Sequence, residues 1–198
     1  LGAFSLLQNT TGYSNVAIGS YCLYMNTTRS NLVAIGDSAL FNNGNGATFS
    51  NEAVYNLAVG SKALYQNTVG SYNSSVGYQS MYSNTTGDFN ASMGYMALNA
   101  NTSGNYNVAV GGLSMYVNST GYNNSALGSY SMRNNSTGYY NTAVGYQSLY
   151  SNTSGLRNTA MGVWTLYSNT TGSYNSAFGY SAGDYRSTLS YSSFVGYN

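Results

Sequence analysis

Apolar residues return along this chain in a fixed order and at a fixed distance. In Asn141-Thr142-Ala143-Val144-Gly145 an aliphatic side chain precedes a glycine, and the pairing recurs as Ile18-Gly19, Ile35-Gly36, Val59-Gly60, Val76-Gly77 and Val110-Gly111. Four residues after each glycine comes a second apolar position: Leu6, Leu23, Leu40, Leu64, Leu98, Leu149 and Leu166, with Met81, Met115 and Met132 in the same role and Gly183 as the one departure. The glycines set the period. Gly2, Gly19, Gly36, Gly60, Gly77, Gly94, Gly111, Gly128, Gly145, Gly162, Gly179 and Gly196 are 17 residues apart, except for one 24-residue step from Gly36 to Gly60. A unit this short cannot bury its own apolar face and becomes stable only by stacking on copies of itself, which predicts a solenoid.

Each copy reads as turn, strand, turn, strand. The stretch Asn152-Thr153-Ser154-Gly155 has turn chemistry, with short polar side chains that bond their own backbone and a glycine to supply positive φ. Glycine holds that slot in eight of eleven copies, Arg29, Ala53 and Leu189 being the exceptions. The residues added in the long step fall at this same turn, where a stacked array accepts insertions. Strands are expected over Tyr140 to Val144 and over Gln147 to Tyr150, both too short for a helix and rich in aromatic and branched residues. The predicted fold is all-β: a parallel β-solenoid (β-roll) of eleven 17-residue coils with two short strands per coil. It forms a single array over 1–198, with an insertion loop at 42–52 and an atypical last coil at 181–198, where Gly183, Asp184, Arg186 and Leu189 replace Leu, Tyr, Asn and Gly.

Alternation along a strand sends successive side chains to opposite faces. The columns of Val144 and Leu149 are assigned to the dry interior. The opposite face, with Asn141, Ala143 and Gly145, is assigned to contact between chains; a tight internal corner is the competing reading. Two buried aliphatics per copy, at roughly 1.5–3 kcal/mol each, barely offset the ordering of the unit, so a second burial surface on other chains is expected.

Composition narrows the function. Charged residues are 5% of the chain, the net charge is +1 and histidine is absent. No basic field for nucleic acid exists, and no stretch approaches the ~18 apolar residues of a membrane span. The four carboxylates, Asp37, Glu52, Asp88 and Asp184, occupy different repeat positions. They form no acid–base pair and no metal set, so neither an enzyme nor a cofactor is expected. Cys22 occupies a slot filled elsewhere by Ala39, Ser80 and Thr165, which reads as packing. Asn-x-Ser/Thr sequons recur in the turn at Asn9, Asn26, Asn84, Asn101, Asn118, Asn135, Asn152 and Asn169. They read either as plain turn chemistry or as a column of glycans on Asn or on the neighbouring Thr. Two tyrosine columns recur as well. The one after the Leu, with Tyr65, Tyr82, Tyr116, Tyr150 and Tyr167, is either a stabilising stack or a strip for sugar rings.

The run Asn-x-Ala-[Val/Ile]-Gly, as in 141–145 and 15–19, resembles the head repeats of YadA-like trimeric autotransporter adhesins. The longer string 141–155 is similar to repeats of phage-type tail-fibre proteins. The resemblance implies a left-handed β-roll, three chains about one axis, an extracellular setting on a cell-surface appendage or virion fibre, and a role in attachment. Head repeats in that family run near fourteen residues, against 17 here. The expected function is therefore structural: an extracellular fibre or adhesin segment, homotrimeric, that spaces or presents an attachment site. The loop at 42–52 is expected to protrude and make the specific contact. The alternative is a shaft that binds glycans or a host surface through its Tyr and Asn columns. A third reading, ice binding, needs flat Thr ranks on a strand, and here the Thr pairs lie in turns.

Overall fold

The computed structural model describes residues 2–185 and 187–197. Each repeat contributes one three-residue strand: β1 (Val16–Ile18), β2 (Val33–Ile35), β3 (Leu57–Val59), β4 (Ser74–Val76), β5 (Ala91–Met93), β6 (Val108–Val110), β7 (Ser125–Leu127), β8 (Thr142–Val144), β9 (Thr159–Met161), β10 (Ser176–Phe178) and β11 (Ser193–Val195). They form one 11-stranded sheet in sequence order. Repeat-equivalent residues pair in parallel, Val144 standing between Leu127 and Met161. The register passes intact across the long step, where Val33 pairs with Leu57. The chain is thus a β-solenoid of stacked coils, as the period predicts.

The second strand expected at Gln147–Tyr150 does not form. That stretch is a turn in which alternate residues are left-handed: Gly145 at φ 131°, Gln147 at 53° and Leu149 at 52°. Tyr140 (φ 57°) supplies a further left-handed position, and the same three non-glycine slots recur in coil after coil. Seventeen residues must close a full circuit around a very thin core, and alternating handedness curls the backbone where an extended strand would overshoot. Each left-handed residue costs roughly 1–2 kcal/mol. The offset is that hydrogen bonds between coils continue through the bend, from Gln147 N to Ser129 O (3.1 Å), Leu149 N to Thr165 O (2.9 Å) and Ser151 N to Tyr167 O (3.0 Å).

The faces of the strand are reversed relative to expectation. Ala143 and Asn141 point inward and are buried, as are Ala34, Ala58, Ala109, Ala126, Ala160 and Ala177. The Val144 column points outward, with Ile18 49%, Met93 55% and Leu127 51% exposed. The Leu149 column is interior, as predicted. Thickness explains the reversal: opposite a Leu there is room for a methyl group and little more. The last coil demonstrates the shared volume. There Gly183 takes the Leu position and Phe194 the Ala position, and a Cβ at Gly183 would lie 2.8 Å from Phe194 Cδ2 and 2.9 Å from Leu166 Cδ2. Large and small have traded places at conserved total volume. Arg186, also named in that atypical coil, lies outside the described residues.

Two glycine columns have different causes. Gly145 needs both its φ and its missing side chain, since a Cβ would fall 2.4 Å from Gly162 O. The turn glycine Gly155, expected to serve positive φ, has none. It is required for space, because a Cβ would lie 2.4 Å from both Asn152 Oδ1 and Gly172 O.

Candidate functional site

The sequon asparagines face inward. Asn26, Asn84, Asn101, Asn118, Asn135, Asn152 and Asn169 are fully buried, and Asn9 is half-buried at the start of the array. They form an amide ladder. Asn118 Nδ2 donates to Asn101 Oδ1 (2.8 Å) and to Gly121 O (3.0 Å), while Asn118 Oδ1 accepts from Asn135 Nδ2 at 2.9 Å. The pattern repeats from Asn84 on Asn67 through Asn169 on Asn152. A second ladder runs beside it through Asn56, Asn73, Asn90, Asn107, Asn124 and Asn141. There each Oδ1 accepts the next coil's backbone N–H, as in Asn141 N to Asn124 Oδ1 at 3.0 Å, and each Nδ2 reaches a turn carbonyl, as in Asn141 to Gly155 O at 2.8 Å. In the folded coil the seven buried amides each donate two hydrogen bonds, whereas Asn9 donates one, to Gly12 O at 2.9 Å. In the same turns the hydroxyl residues after the Asn, such as Thr27, Thr28, Thr102, Thr137 and Thr153, are exposed.

The outward strand face carries the apolar stripe Ile18, Ile35, Val59, Val76, Met93, Val110, Leu127, Val144, Met161, Phe178 and Val195, one per strand. Neighbouring stripe residues are in register, so the column is continuous along the sheet.

The tyrosines named as candidate contacts, Tyr65, Tyr82, Tyr116, Tyr150 and Tyr167, are half-buried and stand in one file. Tyr24, Phe41, Tyr65 and Tyr82 stack at 5.1 Å centroid spacing, and Tyr150 stacks on Tyr167 at 4.9 Å. Arg133 fills a missing rung, its guanidinium 5.3 Å from the Tyr116 ring and 6.0 Å from Tyr150. The second file is more exposed: Tyr55, Tyr72, Phe89 and Tyr106 stack at 5.0, 4.7 and 5.0 Å. Arg157 bridges Tyr140 and Tyr174 in the same way. In both files ring faces cover one another and mostly edges reach solvent. Two of the cations that look scattered in the sequence are thus rungs of aromatic stacks.

Both amide ladders are interrupted where the insertion occurs. Asn26 Oδ1 has no partner among the described residues, and Leu32 stands buried where other coils have Asn. Other coils place two residues between the ladder Asn and its carbonyl partner, Thr153 and Ser154 between Asn152 and Gly155. This coil places residues 44–52 between Asn43 and Ala53, and Asn43 Nδ2 still reaches Ala53 O at 2.8 Å. The loop is held from below and from its own end. Arg29 Nη1 donates to Phe49 O and Nη2 to Ala47 O, each at 2.8 Å, with the Arg stem against Gly44. Glu52 accepts from Thr48 N (2.7 Å) and Phe49 N (2.9 Å). Between this loop and the adjoining coils opens a groove of about 400 Å³ lined by Tyr13, Ser30, Asn31, Asn51, Tyr55 and Tyr72 among others. A smaller recess of about 260 Å³ lies among Gln147, Trp164, Tyr167 and Asp184, where Trp164 Nε1 donates to Gln147 Oε1 at 2.7 Å. Sequence reasoning named the loop but neither recess. Both arise where a column changes residue type, a signal visible only once the copies are aligned slot by slot.

The carboxylates remain apart in role as in sequence. Asp88 accepts from Ser71 N at 2.7 Å and Asp184 from Ser168 Oγ at 3.3 Å. Cys22 is buried, its thiol pointing at Gly36 O at 2.7 Å, and burial pushes its pKa above the ordinary value. No helix among the described residues is long and apolar enough to cross a membrane. No family model, curated protein or solved structure matches this chain.

Proposed function

We propose that this chain is a segment of an extracellular fibre in which three copies pack their sheets around a common axis, spacing or presenting an attachment site. The observation that carries the reading is the outward apolar stripe. Side chains such as Ile18, Met93 and Leu127 are about half exposed on an in-register parallel sheet. Eleven strands at ~4.8 Å make a strip about 50 Å long. A contiguous apolar strip of this length on an exposed face marks an interaction surface. The face assigned to chain contact from sequence, Asn141 with Ala143, is consumed inside the coil, so the contact moves to the Val144 side. A stripe one side chain wide suits the narrow centre of a cyclic assembly better than a broad pairwise face. The number three and the extracellular setting follow from the resemblance of Asn141-Thr142-Ala143-Val144-Gly145 to trimeric adhesin heads. A neutral surface with 5% charged residues agrees with a passive shaft.

The test is the mass in solution. Light scattering on the eluting protein should give three times the 21.0 kDa of one chain. Val110→Asp, in the middle of the stripe, should lower the mass toward a single chain while leaving the coil's far-UV circular dichroism unchanged. A wild-type protein that is monomeric at micromolar concentration would sink the reading.

A further inference from the structure

Shaft recognition through stacked tyrosines has a geometric weakness: a pyranose ring lies on an open aromatic face, and within the stacks those faces are covered. Within a stack, an open face occurs only where the stack ends. Tyr55 is such an end. Its ring stacks on Tyr72 on one side (5.0 Å, 15°), while the preceding slot of its column holds Asn31. The open side lies in the groove beside the insertion loop, whose lining includes Tyr55, Tyr72 and Asn31. Tyr55 is 52% and Tyr72 46% exposed, so both rings are reachable.

Apart from Val54, the remaining lining is polar and uncharged. Asn31 and Asn51 are engaged through their backbones, Asn31 N with Tyr13 O and Asn51 O with Ser71 Oγ, and their side-chain amides are free among the described residues. An amide presents both donors and an acceptor, which matches vicinal hydroxyls. Among the described residues, no ionised side chain lines the groove. Arg29 is buried with both terminal nitrogens turned to loop carbonyls, and Glu52 is spent on two loop amides. These same contacts fix the loop before any ligand arrives, which reduces the ordering cost of binding.

We infer that the groove between the 44–52 loop and the Tyr55 end of the aromatic stack binds a neutral saccharide. One sugar ring lies on Tyr55, and its hydroxyls meet the amides of Asn31 and Asn51. The site belongs to a single chain and does not rest on the number of chains in the fibre.

The experiment uses the whole chain in its native assembly and saturation-transfer NMR with named probes: cellotriose, mannotriose, chitotriose and N-acetyllactosamine, plus sulfated and sialylated N-acetyllactosamine. At least one neutral probe should bind. Tyr55→Ala should weaken it by about tenfold or more, Tyr55→Phe should retain it, and replacing residues 44–52 by the two-residue Thr-Thr turn of other coils should abolish it. Tyr106→Ala is the control, since Tyr106 ends the same stack beside Asn123 without a loop over it; binding should be unaffected. Absence of binding by every neutral probe at millimolar concentration overturns the inference. So does tighter binding of the charged probes, or an equal loss in Tyr106→Ala, which would place the ligand along the shaft. If Tyr55→Ala melts early, Asn31→Ala supplies the same comparison. The mass of each sample, read separately, reports on assembly without touching this result.

Discussion

Two columns run the length of this solenoid with opposite chemistry in unexpected places. The Asn118 column is polar and, beyond the first coil, inside; the Val110 column is apolar and faces outward. The difference lies in which column is complete in one chain. Away from the breaks at Asn26 and Asn169, each Asn amide donates to the preceding coil and to its own turn and accepts from the next coil, so this stretch of the ladder is self-satisfied and needs no water. The aliphatic stripe has partners above and below but none in front. Its free energy of burial is still available, and only another surface can collect it. A solenoid with a polar interior and an apolar outer stripe is finished along its axis and unfinished across it.

Asn118→Asp attacks the finished column hardest. The substitution is nearly isosteric, yet it turns a donor into a carboxylate oxygen facing Asn101 Oδ1 and Gly121 O in a site with no solvent. An uncompensated buried charge costs roughly 3–5 kcal/mol. Burial and opposed acceptors would raise the introduced carboxyl's pKa above its unfolded value. The folded state then holds the proton longer, so stability is highest in acid and falls as pH rises through the carboxyl range. Denaturant melts at several pH values check the sign, and a variant no less stable at neutral pH than at acid pH would show that the ladder is not dry. Val110→Asp is the paired test. The same new charge outside should spare the fold and remove the assembly. If both variants unfolded alike, the contrast between a closed and an open column would be gone.

The period, the coil and the Leu column are legible in the sequence because they depend on count and spacing. The faces are not, because a polar-inside strand violates the binary rule on which face assignment rests. Amides recurring once per coil at Asn141 already suggest a ladder, but its place inside, and the Asn152 ladder beside it, follow only once one knows that a 17-residue circuit has an interior one Leu thick, with Ala143 opposite. The missing second strand has a related cause. Gln-Ser-Leu-Tyr is good strand composition, and tertiary closure overrides it by setting Leu149 left-handed. The groove at Tyr55 was half-legible: the insertion marks the place, but the interruption of the aromatic file at Asn31 acquires meaning only when the rings are seen to stack.

Between the closed ladder and the open stripe stands the Tyr65 file, half-buried and partly self-satisfied. Tyr65 stacks on Phe41 and on Tyr82, each at 5.1 Å. Tyr65→Ala removes two such contacts at about 0.5–1.5 kcal/mol each. The expected loss is therefore about 1–3 kcal/mol in a denaturant melt, with assembly intact. Tyr65→Phe should recover nearly all of it, because the stack uses ring faces and not the hydroxyl. A loss of mass in Tyr65→Ala would mean that the aromatic file, and not the aliphatic stripe, is the surface between chains.

Cys22 gives the smallest expected effect and the sharpest check on interior packing. Its thiol points at Gly36 O at 2.7 Å, and Thr165 Oγ1 makes the equivalent bond to Gly179 O at 2.7 Å. Ser80, Ser114, Ser131 and Ser148 fill the same slot in other coils, all buried. Cys22→Ser therefore keeps both size and donor, and stability should change by less than about 1 kcal/mol. Burial holds the thiol's pKa above its ordinary value, so the folded state retains the proton longer than the unfolded chain does. Stability is unaffected below the unfolded thiol's pKa and declines as pH rises beyond it, a decline that Cys22→Ser should abolish. A thiol reagent at neutral pH should leave the native protein unlabelled and react fully in denaturant. Rapid labelling of the native protein would mean that the coil opens at this rung far more often than a continuous ladder of interlocked turns permits.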